Sequence, residues 1–176
     1  MTMINSINNE KAPRKLGLYI HIPFCKTKCL YCDFCSFVSK DEAKREEYVC
    51  ALLREIEARG TKEYLVDTIY LGGGTPSLLT VEQVGRILCA VRENFIVCED
   101  VEITIECNPI THIDDGKEYF SFLRALGVNR LSIGIQSAID SELKLIGRRH
   151  TFEEAKRTFF EARESGFDNI SVDLMF

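Results

Sequence analysis

His21-Ile-Pro-Phe-Cys25-Lys-Thr-Lys-Cys29-Leu-Tyr-Cys32-Asp-Phe-Cys35 decides how the rest of the chain is read. Cys25, Cys29 and Cys32 stand at C-x3-C-x2-C spacing in one short loop. Thiolates are soft ligands that suit zinc and iron–sulfur clusters. Three of them can hold three corners of a [4Fe-4S] cubane and leave the fourth iron open to a ligand that is not protein. A structural zinc site draws instead on two separated Cys or Cys/His pairs, and the sequence offers no second pair downstream. A Cys-x-x-Cys dithiol can be read at Cys29–Cys32 or at Cys32–Cys35, but that leaves two overlapping copies and Cys25 without a role. The cluster therefore ranks above zinc, and zinc above the dithiol. Cys35 stays open: as a fourth ligand it would close the cluster, and as a bystander it would leave one iron free.

Outward from this loop the chain alternates strand and helix. Residues 18–22 are a short apolar strand running into the cysteines. Within 41–59, Val49, Leu52, Leu53 and Ile56 repeat at helical spacing, and Gly60 is placed to end that helix. Residues 68–71 make a second strand, which enters Gly72-Gly73-Gly74-Thr75-Pro76. Thr80 and Gln83 form a capping box for a helix with the stripe Val84, Ile87, Leu88 and Val91. Residues 102–106 are a third strand, and a third helix carries Tyr119, Phe122, Leu123 and Leu126 before Gly127. Residues 130–136 are a fourth strand, and 141–146 a short helix. Thr151 and Glu154 cap a longer helix ending at Gly166, and 170–174 is a fifth strand.

A regular βα series implies a parallel sheet with right-handed crossovers. In the third strand Glu102, Thr104 and Glu106 share one face and Ile103 and Ile105 the other. Ser132, Gly134 and Gln136 oppose Leu131, Ile133 and Ile135 in the fourth, and Ser171 and Asp173 oppose Ile170, Val172 and Leu174 in the fifth. A doubly wound sheet is apolar on both faces. One polar face, strand after strand, implies a barrel-like sheet with helices outside and a polar chamber inside. The candidate polar groups also sit at the carboxyl ends of their strands, where parallel α/β folds bind ligands.

The glycine run lets backbone approach a ligand closely. It has neither the Gly-Lys-Ser/Thr of a phosphate loop nor dinucleotide-binding spacing; its exposed N–H and C=O groups suit the ammonium and carboxylate of an amino acid, ahead of a plain strand-to-helix turn, for which three successive glycines are costly in backbone entropy. Glu106, Gln136 and Asp173 can meet a cationic group or sugar hydroxyls, or stand as solvated or ion-paired side chains, and the cysteine loop and glycines beside them bring the two readings level. Either Arg148 or Arg149 can fork onto a carboxylate, or simply favour a helix C-terminus. His21 and His150 read as structural histidines.

With 176 residues, 45% of them apolar and 28% charged, the chain is sized for one globular domain. A net charge of −5 without a basic stripe argues against nucleic acid. Residues 1–15 are polar and read as a loose tail rather than a signal peptide, and no apolar run reaches membrane-spanning length. The expected location is the cytoplasm, where eight cysteines do not form a disulfide framework. Cys50, Cys89, Cys98 and Cys107 read as small buried hydrophobes.

The strings YIHIPFC, CLYCDF, LGGGTPSLL, NRLSIGIQS, GRRH and NISVDLMF together resemble the radical S-adenosylmethionine (SAM) family, over nearly the whole chain from Leu18. They resemble the branch that contains oxygen-independent coproporphyrinogen III dehydrogenase and a heme chaperone. The resemblance implies an α/β fold, a partial (β/α)6 barrel stopping after about the fifth strand, so that 16–176 would be an incomplete core domain. It implies that Cys25, Cys29 and Cys32 hold a [4Fe-4S] cluster. It implies that Tyr19 and Tyr31 line the SAM site, that Gly73, Gly74 and Thr75 hold the methionine end, and that Glu106, Gln136, Arg148 and Asp173 contact SAM. The dehydrogenase pattern has a cysteine where this chain has Phe34, which leans the resemblance toward the chaperone. The implied partners are heme or a porphyrinogen and membrane-associated heme-acceptor proteins, with heme itself expected on a part of the family's longer chains that lies beyond this one. An N-terminal piece without a function of its own is the third reading. Five strands would leave an open sheet edge and uncovered apolar surface.

Overall fold

A computed structural model describes residues 14–109, 111–112 and 115–175. Most of the expected tail (residues 1–13) and Phe176, the last residue of the family-like strings, lie outside the described residues. The elements in chain order are β1 (Arg14–Ile22), the short β2 (Phe24–Cys25) and β3 (Phe37–Val38), α1 (Glu42–Arg59), β4 (Thr61–Gly73), α2 (Val81–Asn94), β5 (Phe95–Cys107), α3 (Gly116–Ala125), β6 (Arg130–Gln136), α4 (Asp140–Leu145), α5 (Phe152–Glu164) and β7 (Asn169–Leu174). The main sheet runs β1-β4-β5-β6-β7, and every neighbouring pair is parallel. Each strand thus pairs with the next main strand in sequence, as a βα series demands.

Local chemistry sets the helix boundaries. Asp41 accepts the backbone N–H groups of Ala43 and Lys44 at the start of α1. Reciprocal capping boxes open α2 at Thr80/Gln83 and α5 at Thr151/Glu154. Each such cap contributes about 1 kcal/mol. Ile69, Leu71, Ile103, Ile105, Leu131 and Ile133 form the helix-side face of the sheet and share one core with Val84, Ile87, Leu88, Val91, Leu123, Ala155 and Ala162.

The other face is polar yet ordered. Arg130 bridges three strands, donating to Thr104 Oγ1 and Ser171 Oγ at 3.3 Å each. Ser132 Oγ donates to the Asp173 carboxylate, and the Tyr70 hydroxyl donates to Glu106 Oε1 at 2.8 Å.

Several sequence expectations need correction. β4 and β5 are far longer than 68–71 and 102–106, because their first halves also pair, at Thr61↔Phe95 and Leu65↔Ile96. β1 takes in Arg14 and Lys15, assigned above to the tail, and Lys15 bridges to Asp67 at 3.0 Å. In α3 the buried residues are Gly116, Tyr119, Phe120 and Leu123, whereas Phe122 is half exposed. Cys107 is buried as expected, but Cys89 is exposed and Cys50 and Cys98 only partly covered. Cys89 lies one residue beyond buried Leu88, and about 100° of helical rotation carries it off the core face. β7 forms the anticipated open edge, with Val172, Leu174 and Met175 exposed.

Candidate functional site

The carboxyl ends of the strands surround a cavity of about 300 Å³. Its wall is contributed in turn by the cysteine loop, the glycine run at the end of β4, the end of β5, the end of β6, the Arg148 turn and β7. Of the residues singled out by sequence, Cys25, Cys29, Cys32, Tyr31, Gly73, Gly74, Thr75, Glu106, Gln136, Arg148 and Asp173 all line it. Tyr19 does not: it is exposed, and its hydroxyl donates to His21 Nδ1 at 3.0 Å. Cys35 and Arg149 also lie off the wall, which separates Arg148 from its neighbour.

The cysteine loop is pinned at four points. Phe24–Cys25 pairs with Phe37–Val38 at its base. His21 Nε2–H donates to the Cys35 carbonyl at 2.7 Å, and the Tyr19 hydroxyl occupies the other ring nitrogen, so Tyr19 acts on the loop through His21. Lys28 Nζ reaches the carbonyls of Phe34 and Ser36 at 3.3 Å each. Leu30 N–H donates to the Ile146 carbonyl at 3.1 Å, tying the loop to the turn before Arg148. Cys25 is buried with the Thr75 hydroxyl 3.7 Å from its sulfur, while Cys29 and Cys32 are partly open and joined by the Cys32 N–H···O Cys29 turn.

The glycine run has a packing reason besides any ligand. A Cβ on Gly74 would stand 2.7 Å from the Phe24 carbonyl oxygen and 3.0 Å from Cys25 Sγ. Gly73 has φ +121° and would drive a Cβ into the His21 ring. The run therefore lets the end of β4 lie flush against the cysteine segment. Glu106 holds it there: Oε2 accepts Gly73 N–H at 2.8 Å while Oε1 accepts the Tyr70 hydroxyl. Burial and that carboxylate push the Tyr70 hydroxyl well above its usual range, so it remains a donor.

On the far wall Arg148 Nη2 donates to the Tyr31 hydroxyl at 2.9 Å, with the guanidinium 5.9 Å from the ring centroid. Burial raises the Tyr31 hydroxyl above its usual pKa. Gly134 leaves room for this arginine, since a Cβ there would meet its Nη2 at 3.0 Å. Gln136 adopts φ +73°, a strained value for a residue with a side chain. His150 Nε2–H donates to the carbonyl of the preceding Ile135 at 3.0 Å and so fixes that strand end; burial lowers the His150 pKa.

Sequence reasoning did not assign Asn108, Ser132, Thr27 or Lys28 to this wall. Ser132 was recognisable from its polar-face register, and Asn108 from its place just past Glu106. Two buried polar atoms on the wall, Asn108 Oδ1 and Arg148 Nε, have no partner among the described residues. An unmade bond of this kind costs about 1–3 kcal/mol. Three unpaired thiols on one wall are a donor set for a thiolate-bound metal group, although among the described residues no three ligating side chains close in on a single point.

A parallel half-barrel with a three-thiol loop, a glycine-lined floor and polar strand ends defines a radical SAM core. Residues 19–176 match the radical SAM superfamily, and the chain belongs to it. It is similar to the heme chaperone HemW of Escherichia coli, 43% identical over 91% of this chain and 42% of that protein. HemW of Bacillus subtilis is 40% identical over 90% of the chain. The mouse mitochondrial radical S-adenosyl methionine domain-containing protein 1 is 37% identical over 94% of it. Among solved structures, coproporphyrinogen III oxidase (HemN) from E. coli superposes with a TM-score of 0.85 at 35% identity, covering 93% of this chain and 38% of that one. The chain thus spans about two-fifths of the length of these relatives.

Proposed function

We propose that this chain is the cofactor-binding half of a heme chaperone that uses SAM and a [4Fe-4S] cluster. The observation that carries the reading is the single cavity bringing together the three thiols, the glycine run and Arg148. Cys25, Cys29 and Cys32 would hold the cluster, and thiols spread along a wall suit a multi-iron group better than one tetrahedral ion. Gly73, Gly74 and Thr75 would take the amino-acid end of SAM against backbone groups. Arg148 would meet a carboxylate, and Gln136 and Asp173 ribose hydroxyls or an amino group. Glu106 would act mainly by holding the glycine run, and Tyr19 by holding the loop through His21. When bound, the cluster supplies one-electron chemistry at SAM; these side chains position the cofactor and exclude water from it.

The whole protein would bind heme and pass it to acceptor proteins, some at a membrane, and would work in the cytoplasm. Among the described residues no helix is long and apolar enough to cross a membrane. The names of the E. coli and B. subtilis relatives support the chaperone reading, as does Phe34 in place of a fourth cysteine. The similarity to coproporphyrinogen III oxidase favours oxidative decarboxylation of coproporphyrinogen III as the second reading. The first test is EPR on the anaerobically reconstituted, reduced chain. A [4Fe-4S] signal that shifts on adding SAM is expected; a folded chain that takes up no cluster would refute the reading. With the complete protein, stable heme binding without vinyl-group formation would separate chaperone from dehydrogenase, and the reverse would select the second reading.

A further inference from the structure

Among the described residues, the charged side chains lining the main cavity are Lys28, Glu106, Arg148 and Asp173. All but Arg148 are committed to their own surroundings. Glu106 accepts Gly73 N–H and the Tyr70 hydroxyl. Asp173 accepts Ser132 Oγ at both oxygens, and Lys28 spans the Phe34 and Ser36 carbonyls. Arg148 forms no ion pair among the described residues. Its side-chain partner is a neutral phenol, the Tyr31 hydroxyl 2.9 Å from Nη2, and its buried Nε has none. A guanidinium carries five N–H donors, so most of this one's capacity is unspent on a wall whose carboxylates are already engaged.

The Tyr31 hydroxyl is not needed to dock the cysteine loop. Leu30 N–H already reaches the Ile146 carbonyl at 3.1 Å. Gly147, at φ +78°, packs against Leu30 so closely that a Cβ there would stand 3.0 Å from Leu30 Cγ. The backbone contacts thus join loop and turn by themselves and leave the hydroxyl to act on Arg148. From the other side the end of β6 confines the same group: a Cβ on Gly134 would meet Arg148 Nη2 at 3.0 Å and Gln136 Nε2 at 2.8 Å. Nη2 is therefore set between the phenol and the strand end. An arginine stem is flexible, and one held in place before a ligand arrives loses less freedom when the ligand binds.

We infer that the Tyr31 hydroxyl is a positioning group that presets Arg148 for a ligand carboxylate, and so makes the cavity select adenosyl ligands that carry one. This rests on the SAM reading proposed above. The hydroxyl takes up one N–H and orients the planar fork, which leaves other N–H groups for the two carboxylate oxygens. Selectivity is a difference of two affinities, so a group that presets the fork changes the ratio, whereas a group that only supports the wall weakens every ligand alike.

The test measures dissociation constants of SAM and of decarboxylated SAM, the same molecule without its carboxylate, on the reconstituted parent chain, Y31F and R148Q. Y31F keeps the ring and removes the hydroxyl. Its SAM binding should weaken roughly tenfold, the low end for a hydrogen bond to a charged group, while decarboxylated SAM binds as it does to the parent. R148Q should lose at least as much of the preference. Iron content and urea midpoint of Y31F should match the parent's. Equal weakening of both ligands in Y31F would overturn the inference in favour of a plain strut, and so would a loss of iron. Tighter SAM binding by Y31F would overturn it by making the phenol a competitor for Arg148. A preference unchanged in R148Q would place the carboxylate elsewhere and sink it as well. A parent chain that holds its cluster yet binds neither ligand would refute the SAM reading itself, and the inference with it; a parent that binds SAM beside a Y31F of unaltered preference would refute the inference alone.

Discussion

Glu106 offers the sharpest division between a residue that touches a cofactor and one that builds its site. Its two oxygens accept Gly73 N–H and the Tyr70 hydroxyl, each at 2.8 Å. Hydrogen bonds to a charged group contribute about 1.5–3 kcal/mol each. Both ends of the arrangement are partly open to water, which recovers roughly half of that, so Glu106→Ala should cost about 2–3 kcal/mol of stability. For a chain of this size that is a fall in Tm of roughly 5–10 °C. Glu106→Gln keeps one acceptor of the same shape and should cost about 1 kcal/mol. Urea unfolding followed by circular dichroism reads both values, with a shifted midpoint at constant slope. SAM affinity should fall with stability across the pair, because the loosened glycine run is the common cause. If the alanine variant stays within about 0.5 kcal/mol of the parent, or if alanine and glutamine weaken SAM equally at unchanged stability, Glu106 is a direct contact and the positioning argument is wrong.

Gly74→Ala places a methyl 2.7 Å from the Phe24 carbonyl and 3.0 Å from Cys25 Sγ; overpacking of about 1–3 kcal/mol should displace Cys25, and an iron and sulfide content equal to the parent's after reconstitution would count against it. Cys35→Ser should leave the cluster signal and its SAM response intact, since Cys35 lies off the cavity wall, whereas Cys29→Ser should abolish both; loss of signal in the Cys35 variant would make it a fourth ligand. Bonds from Gln83, Arg86 and Cys50 hold the Glu46 carboxyl down to about 2 from an ordinary 4.5. As pH falls the unfolded chain therefore takes up this proton first, so the contribution is complete above about pH 4.5 and is lost on the way to about pH 2. The urea midpoint of Glu46→Gln should fall less steeply through that window than the parent's, and parallel curves would contradict the assignment.

Much of this was legible in the sequence, because the sheet is parallel and built from consecutive units. Strand ends such as Glu106, Gln136 and Asp173 can be placed by alternation alone, and the capping pairs at Thr80/Gln83 and Thr151/Glu154 mark helix starts within a residue. What stayed hidden depends on long-range geometry. That Arg148 rather than Arg149 faces the cavity follows from the turn after α4 meeting Leu30 and Tyr31 across the sheet. The first halves of β4 and β5 escaped notice because charged and small residues there break the apolar run that the sheet later completes. Tyr19 was assigned to the cavity by resemblance, while the side-chain geometry turns it to His21. The packing role of the glycines was invisible too, since nothing local to Gly74 announces the sulfur beside it.

The bond between Leu30 N–H and the Ile146 carbonyl joins an early part of the chain to a late one. On a ribosome, the cysteine loop emerges long before its far wall. Tyr31 and Arg148 are 117 positions apart, and at about 5–20 residues per second their synthesis is separated by roughly 6–23 s. Through that interval the thiols of Cys29 and Cys32 have no Arg148 turn to shelter them, although β1 and β4 can already pair. The nascent chain is thus exposed to oxidants and stray metal ions during its own manufacture, and iron loading before release of Arg148 would begin from a half-walled site. Slower translation would lengthen that exposure, whereas a chaperone bound over the loop would cover it.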